Sequence, residues 1–140
     1  MINVPLNKIL FLDIETVGCQ PNFETLVEKN EALAFQFQNY FDWFQKRFAE
    51  DGAKDFAEMF VNRSALVPEF AKIACISMAF VNEDGSIKMQ SFSGKDEVDI
   101  LKKTQAVLRK IGSLNYFICG HNVKGFDIPM LAKRMMINGI

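Results

Sequence analysis

The sequence ILFLDIET, residues 9–16, places two carboxylates directly after an apolar run. The run predicts a short strand over residues 8–13, apolar on both faces and therefore central in a sheet. Asp13 and Glu15 come at its end, and side chains two residues apart on a strand share one face, with Cα atoms about 6.6 Å apart. Their repulsion amounts to roughly 3 kcal/mol at an effective dielectric of about 20. Two interpretations follow: solvent-facing residues at a strand end, or oxygen ligands for a hard divalent ion such as Mg²⁺.

The composition predicts one globular domain. The 140 residues are 49% hydrophobic and carry a net charge of −1, which argues against disorder and against a generally basic nucleic-acid binder. Residues 101–140 hold seven Lys and Arg residues but one acidic residue, which fits either a solvated basic face or a phosphate-attracting flank. The sequence shows no targeting pattern and no membrane-spanning run, so we expect a cytoplasmic protein without a membrane partner.

Helical and extended patterns alternate along the rest of the chain. Apolar positions every three or four residues predict a long amphipathic helix within residues 22–62, broken at Asp51-Gly52 and followed by a shorter helical segment over 55–62. The other predicted elements are strands over 72–81, 87–92 and 114–119, and helices over 98–111 and 126–137. This order predicts a single α/β domain over residues 1–140, with a mixed sheet and a helical insertion over 19–68.

A second group of polar residues, GHNVKGFD over residues 120–127, lies between the last predicted strand and the last predicted helix. Asp127 is therefore expected beyond the end of a strand, where the crevice of an α/β sheet opens. Taken alone, Asp127 also fits a helix cap that accepts backbone N–H groups for about 1 kcal/mol. His121 belongs to the same turn and is interpreted as a hydrogen-bonded structural residue.

The two groups together resemble the DEDD superfamily of 3′–5′ exonucleases. Residues 13–15 (DIE) are similar to its first motif, D-x-E, and residues 122–127 (NVKGFD) to its second, N-x-x-x-[F/Y]-D. Residues 126–131 (FDIPML) and 69–73 (EFAKI) are most similar to predicted exonucleases related to the proofreading domain of family B DNA polymerases. That group also carries an insertion between its first two strands. The resemblance covers essentially the whole chain and implies a ribonuclease H-like, three-layer α/β fold.

The resemblance also implies a function. The chain would be a metal-dependent 3′–5′ exonuclease that releases nucleoside 5′-monophosphates from a nucleic-acid 3′ end, with two Mg²⁺ or Mn²⁺ ions as cofactors. Single-stranded DNA is the expected partner, although nothing in the sequence distinguishes DNA from RNA. The implied catalytic residues and metal ligands are Asp13, Glu15 and Asp127. The implied substrate-binding residues are Thr16, Asn122 and Phe126.

One part of the DEDD site has no counterpart in this sequence. The superfamily has a fourth carboxylate in a later helix, preceded by a Tyr or His, whereas no Asp or Glu follows Asp127 here. The resemblance therefore implies a fold truncated at its C-terminal side, with the strand over 114–119 at or near an unpaired sheet edge. We expect this 140-residue form to bind metal weakly and to have little nuclease activity.

A non-catalytic module is the alternative hypothesis. It would keep the ribonuclease H-like fold for binding nucleic acid or protein, with the aromatic helix over residues 34–48 as its contact surface. The missing fourth carboxylate favours this hypothesis, while the two intact motifs favour the enzyme. The sequence indicates no oligomeric state.

Overall fold

This computed structural model describes residues 4–48 and 55–140. Within these ranges the chain forms four strands and five α-helices. The strands are β1 (Ile9–Gly18), β2 (Ala71–Val81), β3 (Ile87–Ser93) and β4 (Phe117–Cys119). The helices are α1 (Phe23–Lys29), α2 (Glu31–Arg47), α3 (Phe56–Arg63), α4 (Glu97–Gly112) and α5 (Asp127–Ile137).

The strands form one mixed sheet in the order β3-β2-β1-β4. β1 pairs in parallel with β4, from Ile9 opposite Phe117 to Phe11 opposite Cys119. β2 pairs antiparallel with β3, with Val81 opposite Ile87 next to the turn. This mixed sheet and its helices confirm the α/β, ribonuclease H-like fold predicted from the sequence.

β1 is longer and less enclosed than predicted. It continues to Gly18, so Asp13 and Glu15 lie within the strand instead of at its end. Its buried side chains are Leu10, Leu12 and Ile14, and its exposed ones are Phe11, Asp13, Glu15 and Val17. The prediction of a strand apolar on both faces was wrong, because alternating buried and exposed positions are typical of a strand covered on one face.

β4 is shorter than predicted and lies at an edge of the described sheet. Its three residues are all exposed. Of the preceding residues, 114 and 115 form a turn and 116 is not part of the strand, and Asn115 adopts the left-handed region with φ 54°. Asn tolerates this conformation better than most residues, which explains why the strand begins only at Phe117. The predicted edge position is confirmed.

The chain divides into two compact units. The first consists of the described residues of Met1–Glu15 and Ile73–Ile140, and the second of those of Thr16–Lys72. The predicted insertion over 19–68 lies within the second unit. The assignment of one domain to the whole chain stays a prediction.

In the second unit, the predicted long helix is interrupted at Asn30. The side chain of Asn30 accepts a hydrogen bond from the backbone N–H of Leu33 at 3.0 Å and so caps α2. Asp55 caps α3 in the same way, through the N–H of Glu58. The predicted break at Asp51-Gly52 lies outside the described residues.

An aromatic cluster forms the core of this second unit. Phe37 and Phe60 are both fully buried, and their rings meet nearly perpendicular with centroids 4.8 Å apart. Phe70 contacts Phe37 in a similar way at 5.0 Å. Such edge-to-face pairs add stability beyond the area that they bury. The apolar faces predicted for these helices from their spacing therefore direct Phe37 and Phe60 into a core.

The helices of the first unit bury apolar faces of their own. Ile100 and Leu101 of α4 and Met130 and Leu131 of α5 are buried. No helix within residues 4–48 and 55–140 is long and apolar enough to cross a membrane.

Candidate functional site

The first motif lies on one exposed face of β1. Asp13 and Glu15 flank Ile14, which points the opposite way and is 6% exposed. Because burial of Ile14 fixes the register of the strand, both carboxylates are directed to the same face. The sequence predicted this shared face correctly, although it placed the pair at the end of the strand instead of within it.

The second motif begins in a compact turn at Asn122. This residue has φ 49°, in the left-handed region that Asn tolerates. Its carbonyl oxygen accepts the N–H groups of Gly125 at 2.8 Å and of Phe126 at 2.9 Å. A Cβ atom at Gly125 would lie 2.4 Å from Oδ1 of Asn122, so a larger residue there would have to displace the Asn122 side chain. The motif spacing thus has a structural reason, since this turn leads directly to Asp127 at the start of α5.

Asp127 is hydrogen-bonded to the strand that carries the first motif. Its Oδ1 accepts a hydrogen bond from the backbone N–H of Ile14 at 3.2 Å, although 113 residues separate the two. Asp127 is 3% exposed. The N-cap of α5 is Phe126 instead, so the interpretation of Asp127 as a helix cap was wrong. The bond connects the second motif to the backbone between Asp13 and Glu15.

The chain leaving β4 runs directly against β1. A Cβ atom at Gly120 would lie 2.3 Å from the carbonyl oxygen of Leu12, so only glycine allows this approach. As a result, Asp13 and His121 line the same cavity of about 260 Å³. His121 is exposed there, on the surface of the turn.

The three predicted substrate-binding residues have different environments. Asn122 is exposed and Phe126 is half-buried, and both lie in the turn before α5. Thr16 belongs to the second unit, where its hydroxyl donates a hydrogen bond to the carbonyl oxygen of Ala65 at 2.7 Å. Asn122 and Phe126 therefore lie in the same turn that leads to Asp127. The Thr16 hydroxyl is instead hydrogen-bonded within the second unit.

The described residues offer a pair of metal ligands but not a closed cluster. Within the described ranges, no three His, Cys, Asp or Glu side chains are grouped so that they could hold one metal ion. Asp13 and Glu15 supply two exposed carboxylates on one face. Mg²⁺ commonly binds one or two protein carboxylates and completes its shell with water and phosphate oxygens. The donor set fits an ion held by this pair.

Sequence reasoning missed a buried ion pair that supports this region. Glu97, at the start of α4, and Arg134, in the last turn of α5, are 8% and 6% exposed. Arg134 Nε donates to Glu97 Oε1 at 2.8 Å, and the N–H of Ile73 donates to the same oxygen at 2.8 Å. Burial alone would raise the pKa of Glu97, but hydrogen bonds from Arg134 and Ile73 and the charge of Arg134 outweigh it and lower the pKa.

One signal could have revealed this pair. Arg134 lies three and four residues after Leu131 and Met130, which are both buried, so it shares the core face of α5. A charged residue at such a position requires a partner of opposite charge.

Comparison with known proteins identifies the family. A family model described as a predicted 3′–5′ exonuclease related to the exonuclease domain of PolB matches residues 63–140. The chain belongs to this family. The matched residues include the second motif and both helices of the buried ion pair, whereas Asp13 and Glu15 lie before residue 63. No curated protein and no solved structure matches the chain.

Proposed function

We propose that this chain is a divalent-metal-dependent 3′–5′ exonuclease. It would remove nucleoside 5′-monophosphates from the 3′ end of a nucleic acid, with single-stranded DNA as the expected substrate. The observation that carries the proposal is the hydrogen bond between Asp127 and Ile14, because it connects the two acidic motifs of a chain from a predicted exonuclease family.

In this proposal Asp13 and Glu15 would ligate Mg²⁺ or Mn²⁺ directly, and Asp127 would hold an ion through water, since the described residues form no three-carboxylate group. When bound, such ions lower the pKa of the attacking water and neutralise the leaving 3′-oxygen. Asp13 and Glu15 contribute exposed carboxylates on one face of β1. Asp127 contributes its carboxylate and also fixes the backbone between them through Ile14. This second role depends on no metal.

The substrate would be positioned by the turn before α5. Asn122 is exposed, and the half-buried ring of Phe126 offers an apolar surface next to Asp127. Aromatic rings stack on any base, which suits an enzyme that removes nucleotides without regard to sequence. Thr16 follows Glu15 directly and would contact the terminal nucleotide through its backbone, since its hydroxyl is bonded to Ala65.

A non-catalytic binding module is the second candidate function. It is favoured by the absence of a three-ligand group among the described residues and by the hydrogen bond that already engages Asp127. Its contact surface would be α2, where Phe35 and Trp43 are 58% and 52% exposed. Such a module would not require a divalent ion.

Metal titration separates the two candidates. If Mn²⁺ binds the folded chain, a concentration of ten times Kd stabilises it by about 1.4 kcal/mol, which is roughly 5 °C in Tm. We expect this shift in the wild-type chain and its loss in Glu15→Ala. Glu28→Ala is the matched control, because Glu28 is an exposed glutamate of α1 outside both motifs. If Mn²⁺ raises the Tm equally in the wild type, Glu15→Ala and Glu28→Ala, or does not raise the Tm of the wild type, the result would support the binding module.

Cleavage gives the second readout. With Mn²⁺ and a 5′-labelled single-stranded oligonucleotide, we expect products shortened from the 3′ end together with nucleoside 5′-monophosphates. Turnover is expected to be slow, because no carboxylate follows Asp127 in the sequence. Asp13→Ala should abolish the products. Products that persist unchanged in Asp13→Ala would overturn the assignment of these carboxylates.

A further inference from the structure

A cavity of about 400 Å³ lies in the first unit, next to the start of β1. Its walls come from residues 7–8, from the β2-β3 hairpin, from the last turns of α4 and from the turn before β4. Sites for small molecules in proteins are about 300–1,000 Å³ in volume. The cavity is therefore large enough for a small ligand, and neither acidic motif contributes to it.

Positive charge dominates the lining. Lys8, Lys88 and Lys110 line the cavity, whereas Glu83 is the one carboxylate among its described lining residues. In the part of the chain that the structure describes, none of the three lysines forms an ion pair. Ammonium groups that share a cavity repel one another and are stabilised by a bound anion. The charge pattern therefore favours an anionic ligand.

An aromatic wall stands beside these lysines. The rings of Phe80 and Tyr116 meet nearly perpendicular with centroids 5.9 Å apart. Lys8 Nζ lies 5.2 Å from the centroid of the Tyr116 ring, so one ammonium group is held at this wall. Val107 and Ile111 add aliphatic surface from α4. The ligand that suits this lining has an anionic group next to a flat apolar group.

We propose that this cavity binds a nucleoside monophosphate. The phosphate would lie among Lys8, Lys88 and Lys110, and the base would contact the wall formed by Phe80 and Tyr116. The cavity is distinct from the candidate active site, because Lys8 precedes Asp13 by five residues, or roughly 16 Å along an extended chain. The proposal does not depend on nuclease activity, since it uses no residue of either motif.

Calorimetric titration of the 140-residue chain with AMP and with dTMP tests the proposal. EDTA in the buffer removes any contribution from a metal site. We expect saturable binding that weakens as salt is added, and a Kd about tenfold higher in Lys110→Gln, which loses one charge-assisted contact to the phosphate. Lys88→Gln should have a similar effect. Lys102→Gln is the matched control, because Lys102 is an exposed lysine of the same helix outside the cavity.

Inorganic phosphate forms the second arm of the titration. If the aromatic wall contributes, phosphate alone should bind at least tenfold more weakly than AMP, and Tyr116→Leu should remove most of that difference. Equal affinity for phosphate and AMP would overturn the nucleotide assignment.

Three further results would overturn the site itself. They are no binding at millimolar nucleotide, an unchanged Kd in both Lys110→Gln and Lys88→Gln, and loss of binding in Asp13→Ala. The last result would locate the nucleotide at the candidate active site. Because all three lysines are exposed, their substitution should leave Tm unchanged, and this is checked for each variant.

Discussion

Asp127 satisfies a backbone group of β1 that β4 does not reach. β4 ends at Cys119, opposite Phe11, so it offers no carbonyl oxygen to the N–H of Ile14 three residues further along β1. A buried N–H without an acceptor is costly, and Oδ1 of Asp127 accepts it instead. The carboxylate thus has a structural role that exists without any ligand.

This role predicts the stability of variants at residue 127. In EDTA, Asp127→Ala should lower the free energy of unfolding by about 1–3 kcal/mol, because it leaves the Ile14 N–H unsatisfied. Asp127→Asn should cost less, since its amide oxygen can still accept that hydrogen bond. Urea unfolding at neutral pH measures both values.

Asp13→Ala is the control for this comparison, because Asp13 is exposed and its loss should change stability by less than about 0.5 kcal/mol. If Asp127→Ala is as stable as Asp13→Ala, the bond to Ile14 contributes little and the structural role of Asp127 is wrong.

The sequence singled out Asp13, Glu15 and Asp127, but not what Asp127 contacts. A sequence motif specifies side chains. The partner of Asp127 is a backbone N–H, which every residue except proline carries and which no motif can therefore specify. Both interpretations made from the sequence, a metal ligand and a helix cap, therefore passed over the contact that the structure shows.

At the scale of elements, the buried pair Glu97–Arg134 joins three of them. Glu97 begins α4, Arg134 lies in the last turn of α5, and the N–H of Ile73 belongs to β2. Nδ2 of Asn138 also donates to Glu97 Oε2 at 3.2 Å. Every partner lies in the first unit, so this network joins α5, which begins with Asp127 of the second motif, to α4 and β2.

Breaking this network should be costly and pH-dependent. Glu97→Ala leaves the charge of Arg134 buried without its partner, so the free energy of unfolding should fall by about 3–5 kcal/mol at neutral pH. Because the folded state lowers the pKa of Glu97 from 4.5, the stabilisation is complete above pH 4.5. It is lost as pH falls through the folded pKa, when the carboxylate becomes protonated.

The measurement is urea unfolding of the wild type and of Glu97→Ala from neutral pH to about pH 3. The difference between their free energies of unfolding should narrow at the acidic end of this range. Asp99→Ala is the control, since the pair of Asp99 with Lys103 is about half exposed, with 53% of each side chain accessible. It should cost less than about 1 kcal/mol. A difference between wild type and Glu97→Ala that stays constant with pH would contradict the role of the charge.

Elements with a strong local pattern were predicted well. The β2-β3 hairpin, α3, α4 and α5 all lie within a few residues of their predicted bounds, because periodicity and turn residues act locally. The interruption at Asn30 was missed, since Asn within a helical pattern also fits an exposed interior position. The length of β1 was missed because Asp13 and Glu15 follow Phe11 on its outer face, a pattern that was interpreted as the end of the strand.

At the scale of the whole molecule, the fold class could be predicted but the division into two units could not. The order of strands and helices indicated an α/β protein with an insertion. The division falls within β1, after Glu15, and within β2, after Lys72. Neither position carries a proline or glycine-rich linker that would indicate a boundary in the sequence.

Phe37 tests whether the second unit unfolds by itself. Its side chain is 0% exposed, and its ring contacts those of Phe23, Tyr40, Phe56, Phe60 and Phe70. Phe37→Ala should remove about 3–5 kcal/mol of packing. Because each unit has buried apolar residues of its own, we expect amide exchange to accelerate in α1, α2 and α3, while α4 and the β2-β3 hairpin keep wild-type rates.

Hydrogen exchange followed by mass spectrometry of peptides from each unit measures this. Phe35→Ala is the matched control on the same helix, since Phe35 is 58% exposed and its loss should leave all rates unchanged. If Phe37→Ala accelerates exchange equally in both units, the chain unfolds as one cooperative unit, and the assignment of a single domain is the better description. If the acceleration is confined to residues 16–72, the insertion is a separate folding unit of this chain.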